Sequence, residues 1–469
     1  MVDTWRKGSY FLVIFFLSAG ANAQEAVPVF KTSSDSIAYY SNQNAMRRHD
    51  PLAPKLIRMD SLWEVQQRII RTGILGWKYT YKPDASFVLL EDLIAGKVAP
   101  KDVKKLSIVN FSKKKLPDAL WKCRDLEEIE LINSRIEKLP RQLNRLSKLH
   151  SLELYNNRPS QRLKLSKNEN VTFLKIRSDQ PQKVPLNYKK FKALDSLDLS
   201  RNFLTEFPVI DYNKQLKQLV LTDNNLTLKN LKIKPNNSLQ CLYLRRNKIE
   251  VLPEAIGNLT ALRKLSFNYN EISEVQDGIA RLQNLEELSL YQNKLTSIPK
   301  SFYELRKLKI IDLYYNQIEK IEDDISNLRN LEVLYAANNR IFSLSENIGE
   351  LSSLKELYLH HNRISYFPTG ISRLTALRVL RFNDNYFATF PDPILSLTNL
   401  ENLDISRNQL QSIPLEFGSY EKLRILVMTE NPWEDHDSIT ALAKRMRLHG
   451  TLVHLNSMGK EVETTTQQE

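Results

Sequence analysis

Fifteen segments of the chain repeat one pattern, L-x-x-L-x-L-x-x-N, starting at Val103, Leu126, Leu149, Val171, Leu194, Leu216, Leu239, Leu262, Leu285, Leu308, Leu331, Leu354, Leu377, Leu400 and Leu423. Twelve of the fourteen intervals are 23 residues and two are 22, a register that chance does not hold. LEELSLYQN (285–293), LKELYLHHN (354–362) and LENLDISRN (400–408) show it cleanly. At this period each unit is one supersecondary element that cannot bury its apolar face alone, so neighbours must stack around a shared core. The alternation of the fourth and sixth positions with polar ones places one short strand in each unit, its third, fifth and seventh residues facing away from the core. The composition agrees: 72 of 469 residues are Leu and only 12 are Gly.

The ninth position is filled by Asn157, Asn202, Asn224, Asn247, Asn270, Asn293, Asn316, Asn339, Asn362, Asn385, Asn408 and Asn431. An Asn amide can satisfy backbone groups of the turn leaving the strand, its own and the next repeat's, so this ladder is read as structural. After the turn come Leu252-Pro253, Ile298-Pro299, Phe367-Pro368, Phe390-Pro391 and Ile413-Pro414, followed by apolar residues three apart such as Ile256 and Leu259. That spacing predicts a 3₁₀ or short helical return with Pro at its start, where no amide donor is needed. Over about 330 residues the chain thus resembles the leucine-rich repeat family, in the Leu-Pro variety of Ras-pathway scaffolds, plant disease-resistance proteins and secreted bacterial proteins. The resemblance implies an α/β solenoid, a horseshoe of about 15 repeats with a parallel sheet on its concave side. It assigns no activity.

The repeats around Val171 and between Leu216 and Leu239 lose the Leu-Pro return, and the two short intervals fall there, so curvature is expected to shift near 160–235. Residues 87–433 are assigned to the repeats. Residues 24–86 are read as a leader and helical cap, with a helix over Asp60–Gly73, and 434–469 as a capping helix and disordered tail. The only cysteines, Cys123 and Cys241, lie in repeats five apart and are expected to stay unpaired, since five strand spacings are about 24 Å. Arg6 and Lys7, the apolar run Phe11–Gly20 and Ala21-Asn22-Ala23 describe a secretory signal at 1–23, cleaved before Gln24. The expected location is therefore periplasm, cell surface or medium, with no membrane insertion after cleavage.

No phosphate loop, G-x-S-x-G elbow or H-E-x-x-H motif is present, and no enzyme, cofactor or metal is expected. A carboxylate pair such as Glu287 with Asp312 lacks the enclosing cleft that glycoside hydrolysis needs. His360 and His361 with Asp384 read as solvent-facing groups rather than metal ligands. The outward positions are where core packing leaves the sequence free. They gather Tyr243, Arg245, Arg246, Tyr269, Tyr291, Asp312, Tyr314, Tyr315, Tyr335, Tyr358, His360, His361 and Arg381 on one stretch of the concave face. Tyr and Arg are the residues most enriched in binding hot spots, so this stretch is the candidate ligand surface, with a protein or peptide as the expected partner. Because its ring is read as pointing outward, Tyr314→Ala is expected to cost little stability, as are Ser substitutions at Tyr291, Tyr314, Tyr335 and Tyr358.

Lys+Arg exceed Asp+Glu by 13, and the excess crowds the early repeats, from Lys101, Lys104, Lys105 and Lys113–Lys115 to Lys189, Lys190 and Lys192. In a secreted chain the matching anion is an acidic glycan or an acidic partner rather than nucleic acid. Glycan binding and a structural or adhesive surface role are therefore the alternatives to protein recognition.

Overall fold

A computed structural model describes residues 86–178, 184–414, 416–417 and 420–455. The signal-like segment, the leader, the helix expected at Asp60–Gly73 and the tail beyond 455 lie outside the described residues. Of the chain's two compact units, Met1–Leu56 and Ile57–Glu469, everything described belongs to the second.

Among the described residues, 17 strands form one sheet in which successive repeats pair in parallel. The register is the sequence period made physical: Leu242 faces Leu265, which faces Leu288, then Ile311, Leu334, Leu357 and Leu380. A one-residue slip would turn the whole Leu ladder out of the core. The two 22-residue intervals keep the ladder, with Leu152 facing Leu174 and Leu197 facing Leu219, so the missing residue is taken from the return. The first and sixth positions, such as Leu285 and Leu290, are fully buried, each contributing about 1.5–3 kcal/mol by leaving water.

The returns hold five-residue 3₁₀ turns, among them Glu254–Asn258, Asp277–Arg281, Glu346–Glu350 and Thr369–Arg373. Proline sits one place earlier than expected. Pro253 and Pro368 are the extended residues just before the turn, and their carbonyls accept its first amides, from Ile256 at 3.1 Å and Ile371 at 3.1 Å. A proline there holds Leu252 extended, where it pairs with Val275 in a two-stranded ribbon. Between 184 and 240 the described residues contain turns but no 3₁₀ helix. Buried asparagines close the return instead: Asn213 donates to the carbonyls of Tyr188 and Phe191 at 3.0 Å, and Asn236 accepts from the amides of Ser238 and Leu239 at 3.0 Å.

Two pairs of 3₁₀ turns approach closely enough to require glycine. A Cβ on Gly278 would lie 2.1 Å from the Glu254 carbonyl oxygen, and one on Gly370 2.0 Å from that of Glu346. In each pair an arginine of the later turn, Arg281 or Arg373, donates to the same carbonyl at 2.8 or 3.1 Å. The two devices lie four repeats apart and match residue for residue.

Both ends of the ladder are covered by elements of the chain. Val88–Leu89 adds a strand before the first repeat and leads into the helix Leu90–Ile94, which buries Leu90 and Leu93. After Asn431, the Trp433 indole donates to the Met428 carbonyl at 3.1 Å, and the helix His436–Leu448 buries Ile439, Leu442, Ala443 and Met446. Asp435 caps that helix by accepting from the Ser438 amide at 3.0 Å. Leu452–His454 then adds the last strand.

Candidate functional site

The asparagine ladder sets the geometry of the concave rim. Asn316 donates to the carbonyls of Leu290 and Leu313 at 3.0 Å and accepts from the Leu295 amide at 3.1 Å. Leu290 and Leu295 belong to the preceding repeat, so the side chain ties its turn backward. The bond to Leu313, within its own repeat, is the one the sequence predicts; the bonds to Leu290 and Leu295 correct the other half of that expectation, in which the Asn reaches the repeat that follows.

The correction holds along the whole ladder. Asn247, Asn270, Asn293, Asn362 and Asn385 repeat the arrangement of Asn316. Asn339, less buried than the others, donates to the Leu313 carbonyl at 2.9 Å and accepts from the Ile318 amide at 3.0 Å. Asn408 does the same with Phe382 and Phe387 at 3.1 and 3.2 Å, and Asn431 with Ile405 and Leu410 at 3.1 and 3.2 Å. The early repeats vary the partners without changing the direction. Asn157 clasps both backbone groups of Ile136, accepting from its amide at 2.9 Å and donating to its carbonyl at 2.7 Å. Asn202 donates to the Ile176 carbonyl at 2.7 Å and accepts from the Ser178 amide at 2.8 Å. Asn224 donates to the Leu199 carbonyl at 3.0 Å and accepts from the Leu204 amide at 2.9 Å. The ladder is therefore part of the scaffold and offers its amides to the backbone, not to a ligand.

The residue before most ladder asparagines is left-handed: φ is 51° at Arg246, 57° at Tyr269, 54° at Gln292 and Tyr315, and 55° at Asn338 and His361. For non-glycine residues this costs about 1–2 kcal/mol each, offset by the amide bonds around it.

On this rim the tyrosines form one connected cluster. Ring centroids lie 5.1 Å apart for Tyr269 and Tyr291, 5.3 Å for Tyr291 and Tyr315, and 5.3 Å for Tyr314 and Tyr335. Tyr335 and Tyr358 stack at 4.8 Å and 25°. Arginines close both ends. Arg245 and Arg246 lie 5.2 and 5.8 Å from the centre of the Tyr269 ring, and Arg381 lies 5.5 Å from that of Tyr358. Tyr243 stands at the edge of the stretch, half-buried, with its hydroxyl pKa pushed up to about 12 by burial and the nearby Cys241.

The outward assignment fails for part of this set. Tyr291 is 2% exposed, Tyr314 7%, His360 3% and Arg381 5%. They stand on the face opposite the Leu ladder, but their neighbours cover them. Strands about 4.8 Å apart force adjacent rings to lie against each other. Ala337, between Tyr314 and His360 in the seventh-position row, leaves room for those two rings to meet at 5.4 Å across a full repeat. Tyr269, Tyr315, Tyr335, Tyr358 and His361 keep part of their surface, and Gln292 is exposed. Burial raises the hydroxyl pKa of Tyr269, Tyr335 and Tyr358, and Tyr358 donates to Glu356 at 2.7 Å.

Sequence reasoning missed the polar floor beside the rings. The fifth-position row runs Tyr243, Ser266, Ser289, Asp312, Tyr335, so two small residues and a short acid lie between two tyrosines. Ser289 Oγ is 2.8 Å from Asp312 Oδ2 and in close contact with the side-chain oxygen of Asn268, Oδ1; the Tyr314 amide donates to Asp312 Oδ1 at 3.1 Å. One hydroxyl hydrogen cannot serve both acceptors of Ser289. Burial pushes the Asp312 pKa up to about 6, against the lowering effect of its two hydrogen bonds.

Elsewhere acids take up much of the positive charge. Lys104, Lys105, Lys114 and Lys148 pair with Glu127, Glu128, Glu137 and Asp125, and Lys175 and Arg177 lie within 3.7 and 3.5 Å of Asp198. His361 stands 3.6 Å from Asp384, which Arg407 also approaches at 3.7 Å, an ion-pair setting. Among the described residues, no three or more His, Cys, Asp and Glu side chains are grouped to hold a metal ion. Cys123 and Cys241 are free thiols. Open hollows lie away from the rings, one lined by Lys355, Arg378, Glu401 and Lys422; Lys355 already meets Glu332 at 2.6 Å, and Arg378 meets Glu401 at 3.6 Å.

Leucine-rich repeat models match residues 238–259, 260–318 and 283–341, and a leucine-rich repeat region model matches 320–468. The chain belongs to the leucine-rich repeat family. It is 34% identical over 113 residues to human leucine-rich repeats and immunoglobulin-like domains protein 3; the match takes in 24% of this chain and 10% of that protein. A leucine-rich repeat protein of Leptospira interrogans superposes with a TM-score of 0.60 at 26% identity, covering 78% of this chain and 99% of that one. A chain of the Drosophila Toll–Spatzle complex also gives 0.60, at 22% identity, over 71% of this chain and 48% of that one, and shows likeness of fold alone.

Proposed function

We propose that this protein is a non-enzymatic recognition module that binds a protein or peptide on its concave face, between the repeats starting at Leu239 and Leu377. The observation that carries this reading is the connected tyrosine cluster with arginine at both ends. Rings that stiffen one another lose little freedom on binding, and those left partly open offer apolar area with a polar tip. The fold likeness to a chain of the Toll–Spatzle complex, itself a complex of two proteins, is consistent with this use. A partner held mainly by charge is less favoured, because many lysines of the early repeats already face acids one repeat on.

The module acts outside the cytoplasm on this reading, supported by Arg6-Lys7, the apolar run Phe11–Gly20 and the Ala21-Asn22-Ala23 site. Mass spectrometry of the mature protein then finds Gln24 first; an intact Met1 start would refute export by this signal. Site-specific photo-crosslinking tests the binding face. A benzophenone side chain at 292 or 338, on the concave rim, gives a discrete adduct in the producing cell, and one at 327, on the convex turn Asp323–Asn327, does not. No adduct from 292 or 338, or equal adducts from 327, overturns the proposal.

A further inference from the structure

We propose that Asp312 is the anchor for a cationic side chain, lysine or arginine, presented by the protein or peptide partner. The proposal rests on the recognition reading above and names what the partner must carry. Several concave carboxylates have a cation of this chain beside them: Asp198 has Lys175 and Arg177, Asp223 has Arg201 and Arg246, Glu287 has Lys264, and Asp384 has Arg407. Asp312 has none among the described residues. It receives only the Ser289 hydroxyl and the Tyr314 amide, which leaves lone pairs on both oxygens.

The surroundings fit a cation rather than an apolar group. In the fifth-position row the small side chains of Ser266 and Ser289 separate Tyr243 from Tyr335 over four strand spacings, about 19 Å, and Asp312 pairs directly with Tyr335. Aromatic faces attract lysine and arginine, and a carboxylate beside such a ring adds full charge. Arg245 and Arg381 stand three repeats away on either side, about 14 Å. Neither forms an ion pair with Asp312, whose pKa is set by burial and by its bonds to Ser289 and Tyr314. The raised pKa still leaves the carboxylate mostly ionised at neutral pH, ready to meet a positive charge.

The test uses the full mature chain labelled with 3-fluorotyrosine and three small probes: N-acetyl-lysine methylamide, its uncharged norleucine analogue and its glutamate analogue. The lysine probe should move the fluorine signals of Tyr314 and Tyr335 with an affinity about tenfold better than norleucine, and Asp312→Asn should remove that preference. Circular dichroism and melting of Asp312→Asn confirm that the fold persists. Equal response to norleucine, a preference for glutamate, or a lysine preference that survives Asp312→Asn overturns the proposal. The two readings fail differently. If the partner cross-linked at 292 and 338 binds Asp312→Asn as tightly as wild type, the anchor is wrong and the concave reading stands. If no such adduct forms, the concave reading itself is wrong.

Discussion

Asp312 gives the sharpest stability prediction, because its carboxylate is partly buried beside the rings and its own hydrogen bonds do not offset the lost hydration. Its pKa of about 6 lies roughly two units above the unfolded value of about 3.9, and each unit is worth about 1.4 kcal/mol. Between those two values the folded chain holds a proton that the unfolded chain has released. Stability from this group is therefore complete below about pH 4 and is lost as pH rises through about 6, a total of about 3 kcal/mol. The groups around Asp312 are Ser289 and Tyr335 on the two neighbouring strands, Tyr314 on its own repeat and Tyr269 two repeats back, with Glu287, Glu356 and His360 further along the face. All of them are present in both chains compared, so the difference isolates Asp312. Asn at 312 can keep both hydrogen bonds, accepting from the Tyr314 amide and donating to Ser289. Urea unfolding should find Asp312→Asn more stable than wild type by about 1–3 kcal/mol at pH 8, with the gain gone at pH 4. An equal effect at both pH values, or a loss at pH 8, would refute the reasoning.

Tyr314→Ala should destabilise by about 2–4 kcal/mol, comparable to Leu313→Ala, because it empties the contact with Tyr335 and His360; denaturant midpoints rank the two. Gly278→Ala should cost about 1–3 kcal/mol or more, since its Cβ would meet the Glu254 carbonyl, and Gly370→Ala should behave alike in the same melts. Asn213→Ala should cost about 1–3 kcal/mol by leaving the carbonyls of Tyr188 and Phe191 unmatched, with early exchange of amides near 184–216 in hydrogen-exchange mass spectrometry.

The fold was legible because one period carries it. The positions that build the sheet, Leu288, Leu290 and Asn293 in one repeat, recur in the next, and each recurrence confirms the strand and its inward face. The direction in which the asparagines reach was not legible, because a period is the same read forward or backward; only the turn geometry sends Asn202, Asn316 and Asn408 to the repeat before. The concave site was legible as a set of residues but not as an arrangement. Alternation places Tyr291 and Tyr314 on the outer face, and nothing in it says that rings on strands 4.8 Å apart will bury each other. Ala337 was the available signal, a gap between two aromatic rows, visible only once neighbouring repeats are set side by side. The left-handed eighth position was masked where Tyr269 and Tyr315 hold it, although Asn133, Asn156, Asp223, Asn338 and Asp384 at the same place are residue types that favour it. Asn168, Asn213 and Asn236 were missed for another reason: they close only three returns, at a place three residues before the next repeat where most other repeats carry Leu, so no fifteen-fold pattern points to them.

The central claim, that the concave tyrosine rim is the binding surface, is tested most directly by blocking it without touching a ring. Gln292 and Asn338 occupy the left-handed position that Arg201, Arg246 and Arg407 hold in other repeats, so the backbone accepts arginine there. The measurement is the affinity of the cross-linked partner, purified, for Gln292→Arg/Asn338→Arg, beside Gln283→Arg/Asn327→Arg, the same chemical changes on the convex turns. The account predicts an unchanged melting temperature for both, at least about tenfold weaker binding for the concave pair, and wild-type affinity for the convex pair. Wild-type affinity in the concave pair, or an equal loss in the convex pair, would contradict it.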